Sequence, residues 1–210
     1  MDEFNFFIES LRDKLNRPLP GVDAQLKMAP ITRVHLMKQK VDIGKARKAA
    51  VLILLYPDDS LIKTVLIQRQ DYNGIHSNQV SFPGGQYEDR DDSMQHTAIR
   101  ETCEEIGVKQ EKINTLGNLT ELYIPPSNFL VLPVIGFVKN TPEFEPDIQE
   151  VKKVITVPMD VLTDDKTVED QVIEASYRER VNVPCYMVDG HIIWGATAMI
   201  ISELVALIKA

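Results

Sequence analysis

The sequence predicts an α/β fold, a mixed β-sheet sandwiched between helices, and three observations support that expectation. Ala49–Tyr56 (AAVLILLY) is a continuous apolar run, the pattern of a strand covered on both faces. Further strand-like segments recur along the chain between turn signals, with helical patterns among them. Two segments, one ending at Arg100–Gly107 and one at Ala196–Ile208, carry the apolar spacing of helices.

Taken in order, Phe4, Phe7, Ile8, Leu11 and Leu15 fall at helical spacing, so residues 3–16 read as an amphipathic helix ending before Pro18 and Pro20. Its apolar stripe would pack on the body of the fold or on a second copy of the chain in a homodimer. Residues 17–47 read as irregular, and residues 1–48 together as an extension packed on a core domain at 49–210. Pro57-Asp58-Asp59-Ser60 turns the chain so that Thr64–Arg69 returns as the second arm of a hairpin. Later strands are expected at Ile113–Tyr123, Phe129–Val138, Lys153–Val157 and Val183–Val188, the last joined by the turn Asp189-Gly190 to His191–Trp194. Pro125–Asn128 and Pro142–Glu150 read as surface loops, and Ala196–Ile208 as a largely buried helix.

Composition sets outer limits. With 210 residues, 44% hydrophobic and 26% charged, the chain can bury a substantial core as one domain. A net charge of −8 argues against duplex nucleic acid as a partner, because backbone phosphates require a basic face. It does not exclude a small phosphate ligand, since a few local cations or a metal can reverse the sign in a pocket. Two cysteines, Cys103 and Cys185, lack metal-ligand or redox spacing, which fits a reducing compartment. No apolar run reaches the ~20 residues of a membrane span, and the acidic start (Asp2, Glu3) does not read as a secretory signal. The expectation is a cytoplasmic protein.

The chemistry lies in the helix after Asp91-Asp92-Ser93. Asp92 or Ser93 is placed to cap it, and Gly107 stands where a helix ends in the left-handed region. Ile99, Thr102, Cys103 and Ile106 recur at i, i+3, i+4 and i+7 and are expected inside, Cys103 as a small core residue. Glu101, Glu104 and Glu105 then share the outer side of the last turns, where the helix dipole disfavours carboxylates and Glu101 and Glu105 repel each other. Each effect is worth a few tenths of a kcal/mol to ~1 kcal/mol. A cluster that opposes both local rules points to a site, and a divalent cation with hard oxygen ligands would relieve it. The plain alternative is a solvated acidic face with Arg100 as an ion-pair partner.

Gly85, then Asp91, then Arg100-Glu101-Thr102-Cys103-Glu104-Glu105-Ile106-Gly107 resembles the box of the Nudix hydrolase family. The middle acid is Asp91 or Asp92 where the box has Glu, eight residues rather than seven precede Arg100, and Thr102 occupies an apolar position. Upstream, Arg69 and His76-Ser77-Asn78-Gln79-Val80-Ser81-Phe82-Pro83-Gly84-Gly85 resemble the segment preceding the box in the family's coenzyme A-hydrolysing branch. That branch also carries the longer loop, matched here by Glu88, Asp91, Thr97 and Ala98, whereas Asn73 stands in place of its leucine. Ile193–Ala198 resembles the branch's last strand and helix.

The resemblance implies an α/β/α sandwich in which Glu101 and Glu105 bind Mg²⁺ or Mn²⁺. Glu104 would be a further ligand or the base, the Gly85 carbonyl would complete the site, and Arg100 would orient the glutamates. It implies hydrolysis of the diphosphate of coenzyme A or its thioesters, giving 4′-phosphopantetheine (or its acyl form) and adenosine 3′,5′-bisphosphate. Arg69, His76 and Gln79 are substrate-binding candidates, and Arg69, Arg47, Lys45 or Lys48 would meet the 3′-phosphate. Tyr123, Phe129 and Trp194 could stack on adenine, but aromatics near strand ends are more often core. Glu143, Glu145, Asp147 and Glu150 form an acidic run with no assigned role. Two other readings stay open: hydrolysis of ADP-ribose, nucleoside triphosphates or related diphosphates, and a non-catalytic nucleotide-binding module. The intact Glu101, Glu104 and Glu105 count against the last.

Overall fold

A computed structural model describes residues 2–30, 43–71, 78–174 and 180–210. The apolar run becomes β1 (Arg47–Asp58), which turns through Asp59 and Ser60 into β2 (Leu61–Arg69) with Leu55 opposite Thr64. The pair is a hairpin, as the sequence predicts. Short strands β3 (Val80–Ser81) and β4 (Gly84–Gln86) precede helix α3 (Met94–Ile106). Strands β5 (Asn114–Asn118), β6 (Leu122–Ile124), β7 (Phe129–Phe137) and β8 (Val151–Pro158) complete an eight-stranded sheet whose central path runs β3-β2-β1-β7-β5. β1 and β7 are parallel, Arg47 facing Phe129, while the other pairs are antiparallel. Beyond β8 come the short helix α4 (Met159–Thr163), a separate antiparallel sheet of β9 (Val168–Glu174), β10 (Arg180–Val188) and β11 (His191–Trp194), and the helix α5 (Gly195–Lys209).

Alternation along β1 explains why its sequence is apolar throughout. Ala50, Leu52, Leu54 and Tyr56 face α3 with Ala98, Ile106 and Val134. Ile53 and Leu55 face the opposite layer, where Phe4, Ile8 and Leu11 of α1 (Asp2–Leu15) pack with Met199, Ile201 and Leu204 of α5. The result is a mixed sheet between helical layers. The stripe of α1 is spent on the body of its own chain; Phe7 is partly buried there, while Phe6 is 78% exposed.

Several expectations need correction. Residues 17–47 are not wholly irregular: α2 (Gly21–Leu26) and a 3₁₀ turn at Ile43–Lys45 interrupt them, and Arg47 already belongs to β1. The helix α2 lacks a side-chain cap and is tied down from afar. The fully buried Glu203 of α5 accepts hydrogen bonds from Gly21 N (3.2 Å) and Gln25 Nε2 (2.8 Å), and from Thr120 Oγ1 (2.7 Å). The strand expected across Ile113–Tyr123 is two, β5 ending at Asn118 and β6 starting at Leu122, and within β5 a register shift separates Thr115 from Gly117. Among the described residues, no helix is long and apolar enough to cross a membrane.

One feature of the sheet creates the site. β1 pairs with β2 only over Leu55–Asp58; farther back, at Ala49–Val51, its neighbour is β4. The two long strands separate there, and the Pro83 carbonyl fills the gap by accepting from Leu52 N (2.8 Å). Gly84 has φ of 151° and lies against the β1 backbone at Ala50, where no side chain fits.

Candidate active site

Helix α3 starts where the sequence places it. Ser93 is the cap, its Oγ accepting from His96 N (3.1 Å), while Asp92 is exposed. Gly107 closes the helix at φ 72°. The helix is rotated relative to the expectation, however. Thr97, Ala98, Thr102, Glu105 and Ile106 are the buried residues; Ile99 and Cys103 are half-exposed, so Cys103 is not a core residue. Burial together with Glu111 and Glu104 pushes its thiol up to about 11, which leaves it unreactive. Thr102 tolerates an apolar position because its hydroxyl donates to the Ala98 carbonyl (2.7 Å).

The glutamates therefore do not share one solvent face. Glu105 is 1% exposed and points at the gap between β1 and β2, Glu101 is half-buried, and Glu104 is exposed. Glu105 is tolerated inside because it has partners: Gly84 N donates to Oε2 (2.8 Å) and Arg69 Nη1 to Oε1 (3.2 Å). Burial nevertheless pushes its carboxyl up to about 8, against the pull of Arg69 and the Gly84 N–H. Burial also raises Glu101. Gly85 lies beneath Glu101 so closely that a Cβ there would stand 2.5 Å from the carboxyl carbon.

Arg100 organises the remainder. Its Nε and Nη2 donate to Oδ1 (2.8 Å) and Oδ2 (3.0 Å) of Asp91, Nη1 donates to Glu101 Oε1 (2.9 Å) and Glu104 Oε2 (3.0 Å), and Nη2 also reaches the Gln86 carbonyl (3.2 Å). Asp91, buried, is held in turn by Thr97 Oγ1 (2.9 Å) and Glu88 N (3.0 Å). The Arg100 guanidinium beside it, with these donors, holds its carboxyl far below the usual carboxylate range. Asp91 rather than Asp92 is thus the acid that fixes Arg100, a choice spacing alone could not make. The acidic loop is likewise tied to the helix: Glu145 N and Asp147 N donate to the carbonyls of Ile106 and Glu105 (both 3.0 Å).

The other sequence candidates are dispersed. Arg69 faces Glu105, and its backbone N–H binds the Gln79 carbonyl (3.0 Å). Arg47 lies over the Phe129 ring, 4.0 Å from its centroid. Trp194 is half-buried at the end of β11, and Thr197 Oγ1 donates to the Val80 carbonyl (2.9 Å) ahead of Gly84. His76, with Asn73 and Ser77, lies outside the described residues. Gln86, Arg90 and Thr97 gained no role from the sequence; Arg90 Nη2 lies 3.4 Å from Glu104. Among the described residues, no three acids, histidines or cysteines converge as a ready metal cage. A cavity of about 530 Å³, lined among others by Gly107, Lys109, Lys139 and Glu145, opens at the end of α3 and touches none of the three glutamates.

A family model described as NUDIX domain matches residues 46–175, more than half of the chain, including this entire arrangement of Gly84, Gly85, Arg100 and the glutamates. The chain belongs to the Nudix hydrolase family. Members of this family cleave phosphoanhydride bonds of nucleotide derivatives, generally with divalent metal ions. The chain is similar to an uncharacterised Nudix hydrolase, NudL, of Pectobacterium atrosepticum, at 33% identity over 77% of this chain and 83% of that one. NudL of Yersinia enterocolitica is 32% identical over 77% and 81%. Among solved structures, a MutT/nudix family protein from Enterococcus faecalis aligns with a TM-score of 0.47 at 19% identity, covering 84% of this chain and 66% of that one.

Proposed function

We propose that this Nudix hydrolase splits the diphosphate of coenzyme A or its thioesters, releasing 4′-phosphopantetheine (or its acyl form) and adenosine 3′,5′-bisphosphate, with Mg²⁺ or Mn²⁺ held by α3. The observation that carries the reading is the inward-facing Glu105, fixed by Gly84 and Arg69, beside the half-buried Glu101, whose carboxyl lies directly against Gly85. Its coenzyme A part is supported by the sequence of residues 76–85 and the long loop through Asp91.

The residues fit a divalent cation. A carboxylate as buried as Glu105 resists ionisation unless positive charge compensates it, and Arg69 alone leaves it raised. Mg²⁺ typically takes one or two protein carboxylates and fills its remaining positions with water and substrate phosphate, so a closed protein cage is not required. Glu101 and Glu105, with the Gly85 carbonyl, would hold the ion, while Glu104 is exposed to solvent. The ion would supply charge neutralisation at the diphosphate and acidify a water.

The chain's own groups do the rest. Arg100, locked by Asp91, aims Glu101 and Glu104 with charge-assisted hydrogen bonds. Gly84 N–H and Arg69 set the direction of Glu105. Glu104, exposed and held by Arg100, accepts the proton that the attacking water loses. Gln79, whose carbonyl accepts from Arg69 N, and His76 are the further substrate-binding residues of this reading.

The test is a substrate panel (coenzyme A, acetyl-coenzyme A, ADP-ribose and nucleoside triphosphates) with Mg²⁺, with Mn²⁺ and with chelator, products read by mass. Metal-dependent appearance of 4′-phosphopantetheine and adenosine 3′,5′-bisphosphate is expected. Cleavage of ADP-ribose with coenzyme A left intact would overturn the substrate assignment.

A further inference from the structure

We infer that Arg47, mounted on Phe129, is the specificity-determining residue that receives a phosphate monoester on the ribose of the substrate, the group that distinguishes coenzyme A from its 3′-dephospho form. The inference rests on the function proposed above and deepens it, choosing among four cations that the sequence leaves equivalent.

The first ground is availability. Arg69 is committed to the buried Glu105. Arg90 pairs with Glu88 and Glu104, and Arg100 with Asp91, Glu101 and Glu104. Among the described residues, no carboxylate pairs with Arg47. The second ground is rigidity. Parallel pairing of β1 with β7 sets Arg47 opposite Phe129, and the guanidinium carbon lies over the ring, 4.0 Å from its centroid. Its edges are fixed by the Ser127 carbonyl (2.9 Å from Nη2) and by Gln86 Oε1 (3.5 Å from Nη1). Neither contact cancels its charge, and a guanidinium has more N–H donors than these two bonds use. A planar fork held in place with donors to spare is the geometry that binds phosphate bidentately. Among the described residues Lys45 and Lys48 have no comparable mount; Lys45 offers its carbonyl to Asn128 and Lys48 its carbonyl to Tyr87.

The third ground is position. Gln86 touches Arg47 with its side chain and Arg100 with its carbonyl, and Arg100 touches Glu101 and Glu104. Arg47 thus stands one residue away from the clamp on the helix carboxylates. The ribose of a nucleotide imposes a separation of that kind between its 5′-diphosphate and its 3′-phosphate.

The experiment compares kcat and KM for coenzyme A and 3′-dephospho-coenzyme A in the wild type, Arg47→Ala and Arg47→Lys. Wild type is expected to prefer coenzyme A. Arg47→Ala should lose about 10- to 100-fold of that preference, the worth of a charged hydrogen-bonded contact. The loss should fall on KM, with the dephospho substrate nearly unaffected and Arg47→Lys recovering part of it. Equal losses on both substrates would mean that Arg47 merely fastens the Ser127 turn, and that result, or a wild type indifferent to the 3′-phosphate, overturns the inference. If neither compound is cleaved, the proposed function is what fails. Calorimetric binding then decides the inference alone: adenosine 3′,5′-bisphosphate should bind wild type more tightly than Arg47→Ala, with AMP unchanged, and equal binding refutes it.

Discussion

Replacing Asp91 by Asn changes hardly any volume and removes one charge, so its effect reads the worth of the Arg100 clamp. Asp91 has no exposed side-chain surface and receives two bonds from Arg100, one from Thr97 and one from Glu88. An asparagine amide must turn its NH₂ toward a donor in either orientation. Breaking a buried ion pair costs ~3–5 kcal/mol. Arg100 keeps Glu101 and Glu104, which places the expected loss near the lower end, about 3 kcal/mol. For a chain of this size that lowers the melting temperature by roughly 6–12 °C. The sign of the pH dependence follows from the depressed carboxyl. Stability from Asp91 is fully present above the unfolded-state value of about 4 and is lost as pH falls toward the folded value. Urea unfolding of wild type and Asp91→Asn from pH 7 downward should therefore show a gap that narrows in acid, because only the wild type loses this contribution. A melting temperature within about 2 °C of wild type at pH 7 would refute the reasoning, since one kcal/mol alone accounts for that much. So would a gap that stays constant below pH ~4.

The other predictions follow the same contacts. Gly85→Ala forces a shift against the Glu101 carboxyl; steady-state assays should show a rate loss of roughly 10²-fold, the scale of a 1 Å misplacement, with little change in melting. Glu105→Gln should lower turnover by ~10²-fold or more while circular dichroism shows a folded chain; near-normal turnover would remove Glu105 from the site. Gly107→Ala adds left-handed strain of ~1–2 kcal/mol to a clash with the Glu145 backbone, so chemical denaturation should register a loss of about 2 kcal/mol or more.

What the sequence revealed and what it hid divide along locality. The two-sided run of β1, the Asp189-Gly190 turn, the Ser93 cap and the Gly107 terminus are signals within a few residues, and each is met in the structure. β4 is Gly-Gly-Gln, with no strand propensity of its own; pairing with β1 alone makes it a strand. β9 carries Glu169, Asp170 and Glu174, so its charge conceals an edge strand that β10 specifies. Hydropathy likewise places Glu105 outside, because the groups that make its burial tolerable lie 21 and 36 residues earlier, at Gly84 and Arg69. The motif named the helix and its acids, but only tertiary contacts separate the buried Glu105, the half-buried Glu101 and the exposed Glu104.

The most direct measurement is a Mn²⁺ titration followed by electron paramagnetic resonance on wild type, Glu101→Gln and Glu105→Gln. The account predicts that wild type quenches the free-ion signal and that each variant binds at least about tenfold more weakly, as removal of a ligating oxygen demands. Wild type that leaves the free-ion signal intact even with adenosine 3′,5′-bisphosphate present, or variants that bind as well as wild type, would contradict it.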